Sequence, residues 1–163
     1  MINKHLENLL LFDDSELVIP ADAVASVRTE NTLLHAMMIL STVGYSSIPV
    51  IDNQHRLHGV ISLPLVIEGI KDQISYDWDK LSEKKVAEII CYDFSVVQED
   101  ADLEDVLHQM VDHNFVCVVG KNNRFLGIIT RKNILKRVNF LVHEIDRFYD
   151  IKAKKEQFSY HNT

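Results

Sequence analysis

Long apolar runs are missing from this chain of 163 residues. No stretch approaches the roughly 18 apolar residues that a bilayer crossing needs, so no membrane span is expected. Positive charge is in deficit: Lys and Arg total 17 against 24 Asp and Glu, a net charge of −7 with histidine neutral. Without an extended basic stripe interleaved with aromatics, nucleic acid is not an expected partner, although a local basic pocket is not excluded. Cysteine is scarce, and Cys91 and Cys117 lack CxxC spacing and lie in apolar surroundings. Reduced, buried, structural thiols in a cytoplasmic protein are the expectation. The N-terminus, Met1-Ile2-Asn3-Lys4-His5, shows no small-residue cleavage site, so export is not expected. Gly-rich phosphate loops, nucleophile elbows and HExxH motifs are likewise absent. The eight histidines offer candidates that include the pairs His55 with His58 and His108 with His113, yet neither pair has a Cys or carboxylate at typical metal-ligand spacing. The expectation is no catalytic residue, no metal and no enzyme activity.

What remains is an ordinary globular composition, 47% hydrophobic and 25% charged, in a length that suits one domain or two small repeats sharing a core. The chain does repeat itself. Residues 44–62 read GYSSIPVIDNQHRLHGVIS, and residues 112–130 read DHNFVCVVGKNNRFLGIIT. In each, a short apolar run (Ser47–Ile51, Phe115–Val119) meets a polar turn (Asp52–His55, Gly120–Asn123). A second apolar run follows (Leu57–Ser62, Phe125–Thr130), a hairpin pattern. The Gly-aliphatic-aliphatic-hydroxyl tetrads begin at 59 and 127, a separation of 68 residues. Duplication at one spacing is the natural reading.

Helices are expected around each hairpin. Leu33, Leu34, Met37, Met38 and Ile39 form one apolar stripe, with Asn31 or Thr32 as cap. Leu103, Val106, Leu107, Met110 and Val111 form the other, starting near Asp100 or Asp102. Leu65, Val66 and Ile67, and Ile134, Leu135 and Val138, read as helices returning across a sheet. Val18-Ile19 and Val96-Val97 would each add a strand at the entrance to a repeat. The expected organisation is a helical lead-in over 1–14, repeat one over 15–70 and a charged linker over 71–85. Repeat two then covers 86–140, and a helical, charged extension covers 141–163.

A tandem strand-helix-strand-strand-helix repeat carrying these tetrads resembles a pair of CBS domains, a Bateman module. The family motif, Gly, two aliphatics, Ser/Thr, two variable residues and Asp/Asn, is intact in Gly127-Ile128-Ile129-Thr130-Arg131-Lys132-Asn133. The first copy, Gly59-Val60-Ile61-Ser62-Leu63-Pro64-Leu65, ends on leucine instead. Ile48-Pro49-Val50 and the Val86–Ile90 approach to repeat two strengthen the likeness, which covers roughly residues 15–140. It implies an α/β fold of two β-α-β-β-α repeats related by pseudo-two-fold symmetry, and a disc-like homodimer.

In that family, adenine nucleotides bind in clefts between the repeats. Thr130 and Asn133 can donate to and accept from sugar hydroxyls, and a helix starting near Arg131 points backbone donors at a phosphate. Arg131 and Lys132 add positive charge there. By resemblance, the opposite wall comes from Ala21–Ala25 and from Tyr45 and Ser46. Tyr45 would stack on adenine, Ser46 would read its polar edge, and Ala21, Ala23 and Ala25 would leave space. Ile128 would line the base pocket. The plainer alternative makes Tyr45 a hairpin cap and the alanines turn packing. The second cleft would use Ser62 and Leu65, walled by Tyr92 to Val96 and Phe115. Leu65 cannot hydrogen-bond a ribose and Pro64 removes a donor, so one competent site per chain is expected.

Among its kind the sequence looks most like the small cyclic-di-AMP-binding CBS proteins of Gram-positive bacteria. That likeness implies a cytoplasmic signal-transduction protein with cyclic-di-AMP as regulatory ligand. It also implies a target enzyme, best known as the guanosine tetra/pentaphosphate synthetase/hydrolase of the stringent response. AMP, ADP or ATP sensing, and a ligand-independent interaction module, are the alternatives.

Overall fold

A computed structural model describes residues 17–148. The expected helix over 1–14 and the tail beyond Phe148 lie outside the described residues. The chain enters through β1 (Ile19–Pro20) and a 3-10 turn over Ala21–Ala23. Repeat one then runs β2 (Val27–Arg28), α1 (Leu33–Val43), β3 (Ser47–Ile51), β4 (Leu57–Ser62) and α2 (Leu63–Gly69). After α3 (Lys80–Glu83) and a 3-10 turn over Val86–Glu88, repeat two follows the same order. It comprises β5 (Val96–Gln98), α4 (Leu103–Met110), β6 (Phe115–Val119), β7 (Phe125–Thr130) and α5 (Arg131–Phe148). Both repeats are β-α-β-β-α, as the pattern of residues implied.

Local chemistry sets these elements. Thr32 Oγ1 accepts the His35 N–H at 3.3 Å to cap α1, and Asp102 Oδ1 accepts the Asp105 N–H at 2.9 Å to cap α4. Each helix buries the same face: Leu33, Ala36 and Leu40 in α1, and Leu103, Val106 and Met110 in α4. The apolar stripes therefore serve mainly the core of their own repeat. Leu34, Met38 and Val111 are the large side chains on them that remain exposed.

The strands form two sheets, ordered β2-β3-β4 and β1-β7-β6-β5. In each repeat the entering strand runs parallel to the first hairpin strand, with Val27 opposite Val50 and Val97 opposite Val118. Both hairpins carry a register shift at the same place, between Val50 and Ile51 and between Val118 and Val119. Two expectations are corrected here. The Val18-Ile19 signal yields Ile19–Pro20, which joins the sheet of repeat two by pairing antiparallel with β7. Repeat one's own entering strand is Val27–Arg28, a pair too short to show alternation.

This exchange is reciprocal. The lead-in to repeat two crosses repeat one, with Cys91 and Val60 exchanging backbone hydrogen bonds of 2.9 and 3.1 Å. Each crossing passes over the glycine of a tetrad. A Cβ on Gly127, whose φ is +154°, would lie 2.1 Å from the Ile19 carbonyl oxygen, and one on Gly59 would lie 2.5 Å from that of Cys91. Backbone cannot yield as a side-chain tip can, so both positions admit only glycine.

Among the described residues the core has three parts. One lies inside each repeat. A third joins the sheets through Leu57, Val60, Cys117, Val119, Phe125 and Ile128. The segment over 71–85 is not merely a connector, because Leu81 is buried in the core of repeat one and Lys84 Nζ donates to the Gly69 carbonyl at 2.7 Å. Cys117 sits at the joint with no exposure, and burial pushes its thiol up to about 12.

Gly127→Ala should cost about 3 kcal/mol through overpacking against β1, read as a lower urea midpoint. An unchanged midpoint would mean that β1 does not hold this position. Cys117 should resist alkylation at pH 8 until the chain unfolds. Its raised folded pKa also makes stability fall as pH climbs from near 9 towards 12, a loss that Cys117→Val should reduce.

Candidate functional site

The two hairpins meet side by side, and at one end of their strands a cavity of about 470 Å³ opens between the repeats. Repeat one supplies Ala23, Val24 and Ala25 from the lead-in and Tyr45, Ser46 and Ser47 from the start of β3. Repeat two supplies Ile128 and Thr130 from β7, and Arg131, Lys132 and Asn133 from the first turn of α5. Nine of the ten residues singled out from the sequence thus line one cavity. Ala21 does not. The 3-10 turn over Ala21–Ala23 carries Ala21 and Asp22 to the opposite side of the lead-in, with Ser26, and leaves Ala23 facing the cavity.

Strand-to-helix geometry puts the motif at the cleft. Thr130 ends β7, and its Oγ1 accepts the Asn133 N–H at 3.2 Å, capping α5 and holding Asn133 at the helix start. An 18-residue helix therefore begins at the same cavity, its N-terminal end turned towards it, with the Asn133 N–H already taken by Thr130. Tyr45 is 56% exposed, so its ring stands at the rim. Ala23 and Ala25 keep the opposing wall shallow.

Arg131 is placed differently from expectation. It borders the cavity, but its Nη2 donates to the carbonyls of Met110 and His113, each at 2.9 Å, and reaches that of Val111 at 3.2 Å. Its backbone N–H donates to the Asn114 carbonyl at 2.9 Å. Arg131 thus ties the C-terminal end of α4 to the start of α5, and part of its fork is unavailable to a phosphate. Positive charge at the mouth falls to Lys132 and to Lys136, one helical turn further on, which the motif alone did not reveal. The four-residue spacing was the available signal. Asn114 and Phe115 also line this cleft.

The pseudo-symmetric cleft is smaller, about 200 Å³, and its chemistry is opposite. Offset by 68 residues, Arg131, Lys132, Asn133 and Lys136 correspond to Leu63, Pro64, Leu65 and Glu68. The matched strand registers set Ala23, Val24 and Ala25 against Asp93, Phe94 and Ser95. Asp93 and Asp112 line this second cleft with Phe94 and Ser95, whereas Ser62 and Leu65 do not. Ser62 Oγ caps α2 by accepting the Leu65 N–H at 3.4 Å. Two carboxylates and, among the described residues, no Lys or Arg side chain disfavour a phosphate there.

The histidine pairs gather no ligand set. His58 Nε2 lies 3.0 Å from Asp52 Oδ2, and among the described residues no group of three or more His, Cys, Asp or Glu could hold a metal ion. No described helix is long and apolar enough to cross a membrane.

The CBS domain family model matches residues 15–71 and again residues 86–139. The chain belongs to the CBS-domain family. This CBS-domain pair is similar to the cyclic di-AMP receptor B of Bacillus subtilis. They are 30% identical over 147 residues, 90% of this chain and 100% of the relative. Among solved structures it resembles CbpB from Streptococcus agalactiae, with 32% identity, a TM-score of 0.85, and 94% and 96% of the two chains covered. It also resembles Listeria monocytogenes CbpB in complex with c-di-AMP, with 39% identity, a TM-score of 0.72, and 77% and 94% covered.

Arg131→Gln should lower stability by roughly 1–3 kcal/mol by releasing the end of α4. Urea unfolding without any ligand checks this, and an unchanged midpoint would return Arg131 to a purely surface role.

Proposed function

We propose that this CBS-domain pair is a non-catalytic regulatory protein that binds cyclic-di-AMP in the larger cleft and reports its occupancy to a protein partner. The observation that carries the reading is the one-sided chemistry of the two clefts. Among the described residues, only the larger cleft combines Asn133 and Thr130, which can meet ribose hydroxyls, a helix N-terminus, and Lys132 and Lys136. It adjoins apolar Ile128 and the Tyr45 ring, a setting for an adenine. Relatives named as cyclic di-AMP receptor B and as CbpB with c-di-AMP bound support that ligand over AMP, ADP or ATP. One purine would occupy the Tyr45 pocket, with the phosphates beside Lys132 and Lys136.

A target enzyme of guanosine tetra/pentaphosphate metabolism, and hence a role in the stringent response, belongs to the same proposal. So does a homodimer. Leu135, Val138 and Val142 form an exposed apolar stripe along α5 that a second copy would cover. Ligand and partner would be coupled reciprocally: a nucleotide that weakens partner binding is itself weakened by the partner.

Calorimetric titration of nucleotide-stripped protein with cyclic-di-AMP, AMP, ADP, ATP and cyclic-di-GMP tests the reading. Cyclic-di-AMP should bind most tightly, Asn133→Ala should weaken it at least ~10-fold, and Lys132→Gln with Lys136→Gln should flatten its salt dependence. Preference for AMP or ATP would shift the role to energy sensing. No binding by any of the five would leave a ligand-independent interaction module.

A further inference from the structure

A second cavity, of about 620 Å³, lies at the opposite end of the strands, where the hairpin turns meet. It is separate from the cleft described above. Ala21, Asp22 and Ser26 line it while Ala23 and Ala25 line the cleft, so the lead-in forms a wall between the two, with Val24 exposed to both. Among the described residues, its polar rim carries Arg28, His35, His55 and Arg124 against one acid, Asp22. Val24, Ile51 and Phe125 provide apolar wall. In a chain of net charge −7, two arginines converging on one concavity, with two imidazoles beside them, run against the overall field.

The neighbouring acids leave part of that charge uncommitted, chiefly that of Arg124. Asp52 is used in its own turn, where it accepts from the Gln54 and Arg56 N–H groups and pairs with Arg56 Nε at 2.7 Å and His58 Nε2 at 3.0 Å. The Arg56 backbone N–H, helped by those side chains, holds the Asp52 carboxyl well below the usual carboxylate range. Glu30 sits close enough to Arg28 for charge attraction but does not line the cavity. Arg28 Nη1 donates to Asn53 Oδ1 at 2.7 Å. Among the described residues, the Arg124 side chain makes no hydrogen bond or ion pair.

The frame around these groups is fixed. The His55 carbonyl accepts the Phe125 N–H at 2.8 Å, and Asn123 Nδ2 donates to the Leu57 carbonyl at 2.5 Å. Arg56 and Arg124 pair as a backbone bridge. The turns of the two repeats therefore clasp each other and hold His55 and Arg124 at one edge, facing Arg28 and His35 from β2 and α1. Such preorganisation lowers the cost of seating a ligand, and the volume suits a small molecule.

We propose that this turn-end cavity is a second ligand pocket that takes a small phosphate-bearing molecule. The Arg124 fork can clamp phosphate oxygens in a bidentate manner, the Arg28 donors not turned to Asn53 can join it, and Asn31 and Ser26 add hydrogen-bonding groups. The pocket is independent of the nucleotide reading, so the test contains no nucleotide.

The experiment is a two-dimensional NMR titration of the assigned full chain with sodium pyrophosphate, ionic strength being held constant with sodium chloride. Saturable shifts should centre on Arg28, His35, His55 and Arg124. Arg28→Gln with Arg124→Gln should weaken binding at least tenfold, and Arg124→Gln alone, which removes no hydrogen bond made within the described residues, should weaken it measurably. Shifts that never saturate, or that fall only on Lys132 and Lys136, would overturn the proposal. Equal binding of citrate would overturn its phosphate preference. Binding of a Glu-rich peptide where pyrophosphate fails would replace a small-molecule pocket with a protein-docking surface.

Discussion

Everything in this fold depends on two crossings of backbone over glycine. The lead-in strand of repeat one lies over Gly127, and the lead-in to repeat two lies over Gly59. These contacts knit the sheets, bring the joint of Leu57, Cys117, Val119 and Phe125 out of water, and fix where the lead-in passes between the hairpins. A cleft between repeats exists because that segment is held there. Ala23 and Ala25 face Thr130 and Asn133 only because Ile19 and Pro20 are paired with Ile128 and Gly127.

Symmetry of backbone is combined with asymmetry of chemistry. The hairpins share length, pairing register and even the position of their bulges. What differs is the first turn of the helix that follows. Arg131-Lys132-Asn133 with Lys136 makes one cleft cationic and polar, while Leu63-Pro64-Leu65 with Glu68 leaves the other without those groups. The acids Asp93 and Asp112 widen the contrast. Electrostatics, rather than shape alone, marks which cleft suits an anion.

The elements with strong local signatures were legible in the sequence. Both hairpins, both capped helices and the motif residues Thr130 and Asn133 occupy the places their patterns implied. What stayed hidden was non-local. Nothing near Ile19 reveals that it pairs with a strand over a hundred residues later, and Val27–Arg28 is too brief to alternate. The family motif marked Gly59 and Gly127 without giving the reason, which is a backbone met only in three dimensions. Arg131 was recognisable as a cation near the cleft, but not as a residue turned back onto the carbonyls of α4. Ala21 opens a 3-10 turn that carries it to the other side of the lead-in, and Lys136 lay just beyond the motif.

The reciprocal lead-in exchange has a consequence for ancestry. A solitary repeat would carry an entering segment with no strand of its own to pair with, and a glycine-marked hairpin edge with nothing laid across it. Two identical solitary copies would satisfy each other's needs around a true two-fold axis. The tandem chain reads as such a pair of ancestral copies joined end to end. Once joined, the halves no longer had to remain identical, which left the two helix starts free to differ, Arg131-Lys132-Asn133 in one and Leu63-Pro64-Leu65 in the other.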